Sequence, residues 1–201
     1  MHHITEYHLT DKVLIDRVLC GETRAFGVII KNTEKLVAQI VFKMIPVSED
    51  RKDIAQDVFL KAFHNLPGFK FQCKLSTWIA QIAYNTCLSW IEKKKPFLYG
   101  TTTDDEFYFE PENGAYHRAS NENESENRVS EKELSGILRR EIDLLPSVYQ
   151  TLIILYHHEF LSYEVLSRIT GLPAGTVKSY LFRARKMLKE KLLSKYKKEA
   201  L

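Results

Sequence analysis

Lys178, Ser179, Phe182 and Arg183 fall on one side of a helical projection at about 100° per residue, with Gly175 beside them. Val177, Leu181, Ala184 and Leu188 fall within about 60° of each other on the opposite side. One face can therefore be buried while the other offers Lys and Arg donors, a hydroxyl and a ring. Such a face can read a DNA major groove: the cations donate to guanine O6 and N7, Ser reaches a base edge or a phosphate, and a ring meets sugar or a thymine methyl. Arg185, Lys186, Lys189 and Lys191 extend the positive charge toward flanking phosphates. The same pattern also fits the solvated side of an ordinary bundle helix. The Gly-Leu-Pro corner at Gly171 to Pro173 and the outward Phe182 favour DNA reading.

A second chemistry-bearing stretch is "LPGFKFQCKLSTWIAQIAYNTCLSWIEKKK", Leu66 to Lys95. Phe69, Phe71, Trp78, Tyr84 and Trp90 are interleaved with Lys70, Lys74, Gln81 and Asn85. Rings that stack on unpaired bases, lysines that neutralise phosphate and amides that bond a base edge suit single-stranded nucleic acid. The plain alternative is that Trp78, Ile82 and Phe63 are core.

Other chemistries find little support. "HHEF" (His157 to Phe160) suggests a zinc helix, but an HExxH motif starting at His158 would need histidine where Ser162 stands. No paired carboxylates, nucleophile triad or phosphate-cradling glycine loop stand out, so we expect neither an enzyme nor a cofactor or metal. Cys20, Cys73 and Cys87 form no CxxC pair and are odd in number, which suits a reducing compartment. No segment reads as a signal peptide or membrane span. The expectation is a soluble cytoplasmic protein.

These residues need helices to position them. The chain has 201 residues, of which 44% are hydrophobic, enough for one medium or two small cores. From Asp11 to Ile45 apolar residues recur every three or four positions, with Gly21 as a turn and Pro46 as a stop. Ile54 to Leu66 and Ser76 to Lys95 repeat the pattern, separated by the "LPGF" break. Composition then shifts: Asp104 to Glu126 holds eight acids against one base, Arg118. This reads as a flexible acidic linker. Helical periodicity resumes near Glu131. Ser162 suits an N-cap, Gly171 a sharp turn and Pro173 a helix first turn. The expected fold is all-α: an N-terminal helical bundle (9–95), a linker (96–130) and a C-terminal helix-turn-helix domain (131–197).

"LSYEVLSRITGLPAGTVKSYLFRARKMLKEKL" resembles the DNA-reading end of extracytoplasmic-function sigma factors, a compact group of the bacterial sigma-70 family. "DIAQDVFLKAFHNLPGF" and "LSTWIAQIAYNTCLSWIEKKK" resemble their N-terminal domain, and "LLPSVYQTLIILYHHEFLSYEVLSRI" the entry to their C-terminal domain. The resemblance implies that the N-terminal domain grips the clamp of core RNA polymerase and captures a melted −10 strand. The C-terminal domain would bind the −35 element as duplex, with the linker threading the polymerase toward the RNA exit path.

Carried over residue by residue, the resemblance puts Phe69 and Asn85 in a flipped-base pocket. Gln81, Ile82 and Tyr84 lie on the same helix, and Lys70 and Lys74 in the adjoining specificity loop. Asp53, Gln56, Asp57 and Lys61 match the polymerase-docking face. Thr176, Lys178, Ser179, Phe182 and Arg183 match the −35 reading helix. The family often has glycine where Phe71 stands, which implies a differently shaped loop and another base preference. Arginine is frequent where Tyr180 stands, and Ser89 and Glu92 replace a common Asp and Arg. An anti-sigma factor is a further partner the family implies. Two rivals remain at this level: a stand-alone regulator that binds DNA without polymerase, and an interaction protein that has lost DNA reading.

Overall fold

The computed structural model describes the backbone of residues 2–98 and 126–196, and the side chains of residues 11–94 and 134–194. The middle of the expected linker, 99–125, lies outside the described residues. Among the described residues there are helices and no strands: α1 (His2–Leu19), α2 (Thr23–Met44), α3 (Ser48–Asn65), α4 (Leu75–Leu98), α5 (Glu126–Asp143), α6 (Ser147–His157), α7 (Tyr163–Thr170) and α8 (Ala174–Tyr196). The all-α expectation holds. None of these helices is long and apolar enough to cross a membrane.

The punctuation follows from backbone chemistry. Gly21 takes φ 93°, which glycine adopts without Cβ strain, and its N–H donates to the Val18 carbonyl at 3.0 Å. Pro46 follows the last residue of the Met44–Ile45 stop, and Arg51 Nε donates to the Ile45 carbonyl at 2.8 Å, which a terminated helix leaves unpaired. Leu66–Gly68 form one 3-10 turn before the loop that leads to α4. α4 runs three residues past Lys95, and α5 starts at Glu126 rather than near Glu131.

α2 packs against α1, α3, α4 and α6, and α4 against α2, α3 and α7. Ile40, Met44, Val58, Ile79 and Ala83 from the first half are fully buried in the same apolar core as Leu152, Leu166, Ile169 and Leu181 from the second. The two helical regions are thus joined by burial as well as by chain. Polar ties cross the seam: Gln39 Nε2 donates to Glu159 Oε1 at 2.8 Å, Arg168 Nη1 donates to the Gln72 carbonyl at 2.7 Å, and Lys43 pairs with Asp143.

Candidate nucleic-acid interface

The helix-turn-helix is built by local caps. The Ser162 hydroxyl oxygen accepts from Val165 N–H at 3.4 Å, which starts α7. Gly171 ends it in the left-handed conformation, φ 72°, with its N–H donating to Ser167 O at 2.9 Å. Ser167 Oγ donates to Leu172 O at 2.6 Å and fixes the corner. Pro173 then sits one residue before α8, its carbonyl accepting from Val177 N–H at 3.0 Å. Gly171→Ala is expected to destabilise the fold by about 1 to 2 kcal/mol, since a Cβ is strained at this φ even though nothing crowds it. Chemical denaturation checks this; an unchanged midpoint would refute it.

On α8 the expected seam is buried: Val177, Leu181 and Ala184 are fully covered and Leu188 nearly so. Lys178, Ser179, Phe182 and Arg183 are exposed, with Phe182 at 68%. Thr176 is half-buried. Beside this face runs a strip that sequence reasoning missed. Tyr156 stacks on Tyr163 at 5.0 Å, Arg185 lies 5.1 Å from the Tyr156 ring, and Lys178 lies 5.4 Å from the Tyr163 ring. Arg185 Nε also donates to His157 Nε2 at 3.2 Å. Burial, and then Arg185, holds His157 below its ordinary pKa. The strip joins residues from three helices, which no spacing within one helix reveals.

In the N-terminal half, Asn85 is exposed and Ile82 half-buried, and both line a shallow groove of about 200 Å³ with Lys61, Asn65, Thr86 and Ser89. Lys61 bridges Asp57 Oδ2 at 2.8 Å and Thr86 Oγ1 at 3.3 Å. The structure therefore brings Lys61, expected on a polymerase face, beside Asn85, expected on a DNA face. Asp53, Gln56 and Asp57 are exposed along α3, opposite the buried Ile54, Val58 and Ala62. Leu60, 51% exposed amid those polar residues, is an apolar element the sequence reading passed over.

The aromatic residues divide. Tyr84 is buried on α4, its hydroxyl pushed up to about 12 by burial, with smaller effects from Tyr180 and Cys87. Phe69 is also buried, with its ring centroid 5.2 Å from Trp78 and 4.9 Å from Phe71. Lys70 and Lys74 are exposed and Gln81 is half-buried. Phe71 and Phe160 both adopt left-handed backbone, φ 55° and 53°, at about 1 to 3 kcal/mol each for a non-glycine residue. Cys20, Cys73 and Cys87 are free thiols, and burial pushes Cys87 up to about 12.

Two helical regions, the second carrying a helix-turn-helix with a basic outer face, define a DNA-binding protein of the helix-turn-helix class. The sequence family described as Sigma-70 region 2 matches residues 29–97, and Sigma-70, region 4 matches residues 135–188. The ECF RNA polymerase sigma-E factor of Escherichia coli K12 is 34% identical over 190 residues, covering 92% of this chain and 95% of that protein. The ECF RNA polymerase sigma-E factor of Haemophilus influenzae is 31% identical over 186 residues, covering 92% and 96%. The fold also matches CnrH, solved with the cytosolic domain of CnrY, at TM-score 0.60 and 20% identity, covering 92% of this chain and 99% of that one. A Bartonella quintana sigma factor, solved with the anti-sigma factor NepR, gives 0.60 and 20%, covering 85% and 98%. The chain belongs to the ECF group of the sigma-70 family of RNA polymerase sigma factors. Sigma factors are transcription initiation factors that bind core RNA polymerase and direct it to promoters. Membership in the family weighs against a stand-alone regulator.

Proposed function

We propose that the two halves divide promoter recognition between them. Residues 9–95 dock on the polymerase clamp through Asp53, Gln56, Asp57 and Lys61. The same half holds the melted −10 strand through Asn85, Gln81, Ile82, Lys70 and Lys74, with Phe69 and Tyr84 forming the wall behind them. Residues 131–197 read the −35 duplex through Thr176, Lys178, Ser179, Phe182 and Arg183. The intervening 96–130 connects the two readers along the polymerase. The observation that carries this reading is the pairing, in one chain, of the exposed α8 face over a buried seam with the exposed Asn85 groove. The chain itself supplies no catalytic step, since the bond-forming chemistry belongs to the polymerase, and it works in the cytoplasm where that enzyme and the DNA are. An anti-sigma factor is a fitting partner, by the example of the Bartonella quintana protein solved with NepR.

Run-off transcription from a randomised promoter library, with core polymerase and with or without this protein, tests the reading. Protein-dependent transcripts sharing two spaced elements are expected. Retention of duplex DNA by the protein alone, with no such transcripts, would point to the regulator instead. Asn85→Ala is expected to weaken open-complex formation by about 1 kcal/mol, one lost hydrogen bond, and to leave duplex −35 binding unchanged. Permanganate footprinting of the melted strand checks it. Phe69→Ala is a poorer probe, because removing a buried ring destabilises the fold itself by about 3 to 5 kcal/mol.

A further inference from the structure

The two halves that are to read separate promoter elements lie against each other. α4 packs on α7, and α2 packs on α6. The seam is complementary in charge as well as apolar. Lys35, Gln39 and Lys43 stand four residues apart on α2, so they share one face. Lys35 and Gln39 meet Glu159 at 3.7 and 2.8 Å, and Lys43 meets Asp143. Arg168 of α7 holds the Gln72 carbonyl from the other side. Tyr180 joins from α8, where the resemblance leads one to expect arginine. It is half-buried, its ring stands edge-on to Tyr149 at 5.4 Å, and its hydroxyl is near enough to help raise the pKa of Tyr84 on α4. We propose that this seam is an autoinhibitory clasp: it keeps the free chain from engaging both promoter elements at once, and core RNA polymerase opens it. The proposal rests on the reading of the two halves as −10 and −35 readers.

Distance carries the argument. Two readers in direct contact cannot serve elements that lie a helical turn of duplex or more apart, about 34 Å. The chain between α4 and α5 is long enough to let the halves separate that far. Opening has to begin on a surface that the clasp leaves free, and α3 offers one. α3 packs on α2, α4 and the 3-10 turn, while Asp53, Gln56 and Asp57 stay exposed. Polymerase can therefore dock on the closed chain first and part the halves afterwards. Tyr84, which the resemblance puts beside the melted strand, is buried in the closed chain with Tyr180 close to it. Parting the seam would uncover the side of Tyr84 that α8 now covers.

The competing account is a permanent unit that reads promoters as packed. Dyes on Cys20 and on Glu190→Cys, both exposed and one in each half, report the separation in the full-length chain, with Cys73→Ser removing the half-buried thiol. Energy transfer is expected to be largely lost when cognate core polymerase binds. In parallel, the unlabelled free chain is titrated with DNA carrying the −35 duplex, the melted −10 strand or both, in the sequences recovered from the promoter library. The free parent is expected to gain no affinity from the second element. Holoenzyme, and a free chain carrying Gln39→Ala, Lys43→Ala and Arg168→Ala, are expected to gain at least about tenfold, as linked sites do when both can engage. None of these three residues lies on a reading or docking face. If transfer survives polymerase binding while the library yields two-element transcripts, the halves work packed and the clasp is overturned. A free parent that shows the same gain from the second element also overturns it. The absence of two-element transcripts from the parent holoenzyme would instead remove the division of reading on which the proposal stands.

Discussion

Replacing Arg183 with alanine is expected to weaken −35 recognition by about 1 to 3 kcal/mol at one base pair, while other positions keep their preferences. The reasoning is geometric. Arg183 is exposed on the side of α8 opposite Val177, Leu181 and Ala184, all fully buried, so the buried seam fixes which way the guanidinium faces. A fork of donors held in that direction suits the O6 and N7 acceptors of guanine. Affinity measured against a panel of singly substituted −35 duplexes, at fixed salt, checks the effect. Equal loss on every duplex, with a salt slope reduced by about one, would make Arg183 a phosphate contact.

The second large effect concerns the core. Ile79→Ala is expected to destabilise the protein by about 2 to 5 kcal/mol, because Ile79 is fully buried on the helix that meets α2, α3 and α7 together. That is a large part of the roughly 5 to 15 kcal/mol available to an ordinary fold. Urea denaturation followed by helicity and by tryptophan fluorescence measures it. Both tryptophans, Trp78 and Trp90, lie in the N-terminal half, whereas helicity reports on both halves. The shared core predicts coincident transitions. Separate ones would mean that the halves are energetically independent.

Much of the fold was legible because apolar spacing and punctuation agree. Gly21, Pro46, Ser162 and Gly171 each stand where a backbone constraint demands their kind, and the helices begin or end beside them. The α8 faces were legible for the same reason: one helix fixes its own angular order. The start of α5 was not, since Glu126 to Ser130 offers only Val129 as an apolar mark. Phe71 was legible only in part: the resemblance marked its place as one where glycine is common, but a phenylalanine in a loop gives no sign of its own φ. What the pattern lacks most is the identity of the partner surface. An apolar stripe says that α4 is covered but not that α7 covers it. Ties such as Arg168 to Gln72, 96 residues apart, follow only from that packing.

Glu159 and Arg168, on either side of the α7 start, both reach across to the first half, to Gln39 and to the Gln72 carbonyl. Arg168 ties the helix-turn-helix to the loop that carries Phe71, and Glu159 ties it to α2. A ligand that requires the α7-facing side of α4, or the Gln72 carbonyl, has to compete with this arrangement. Its measured dissociation constant is then the intrinsic one divided by the fraction of molecules in which the seam has parted. Substitutions along the seam would therefore change the apparent affinity of such a ligand without touching it, and in proportion to how far they shift that population.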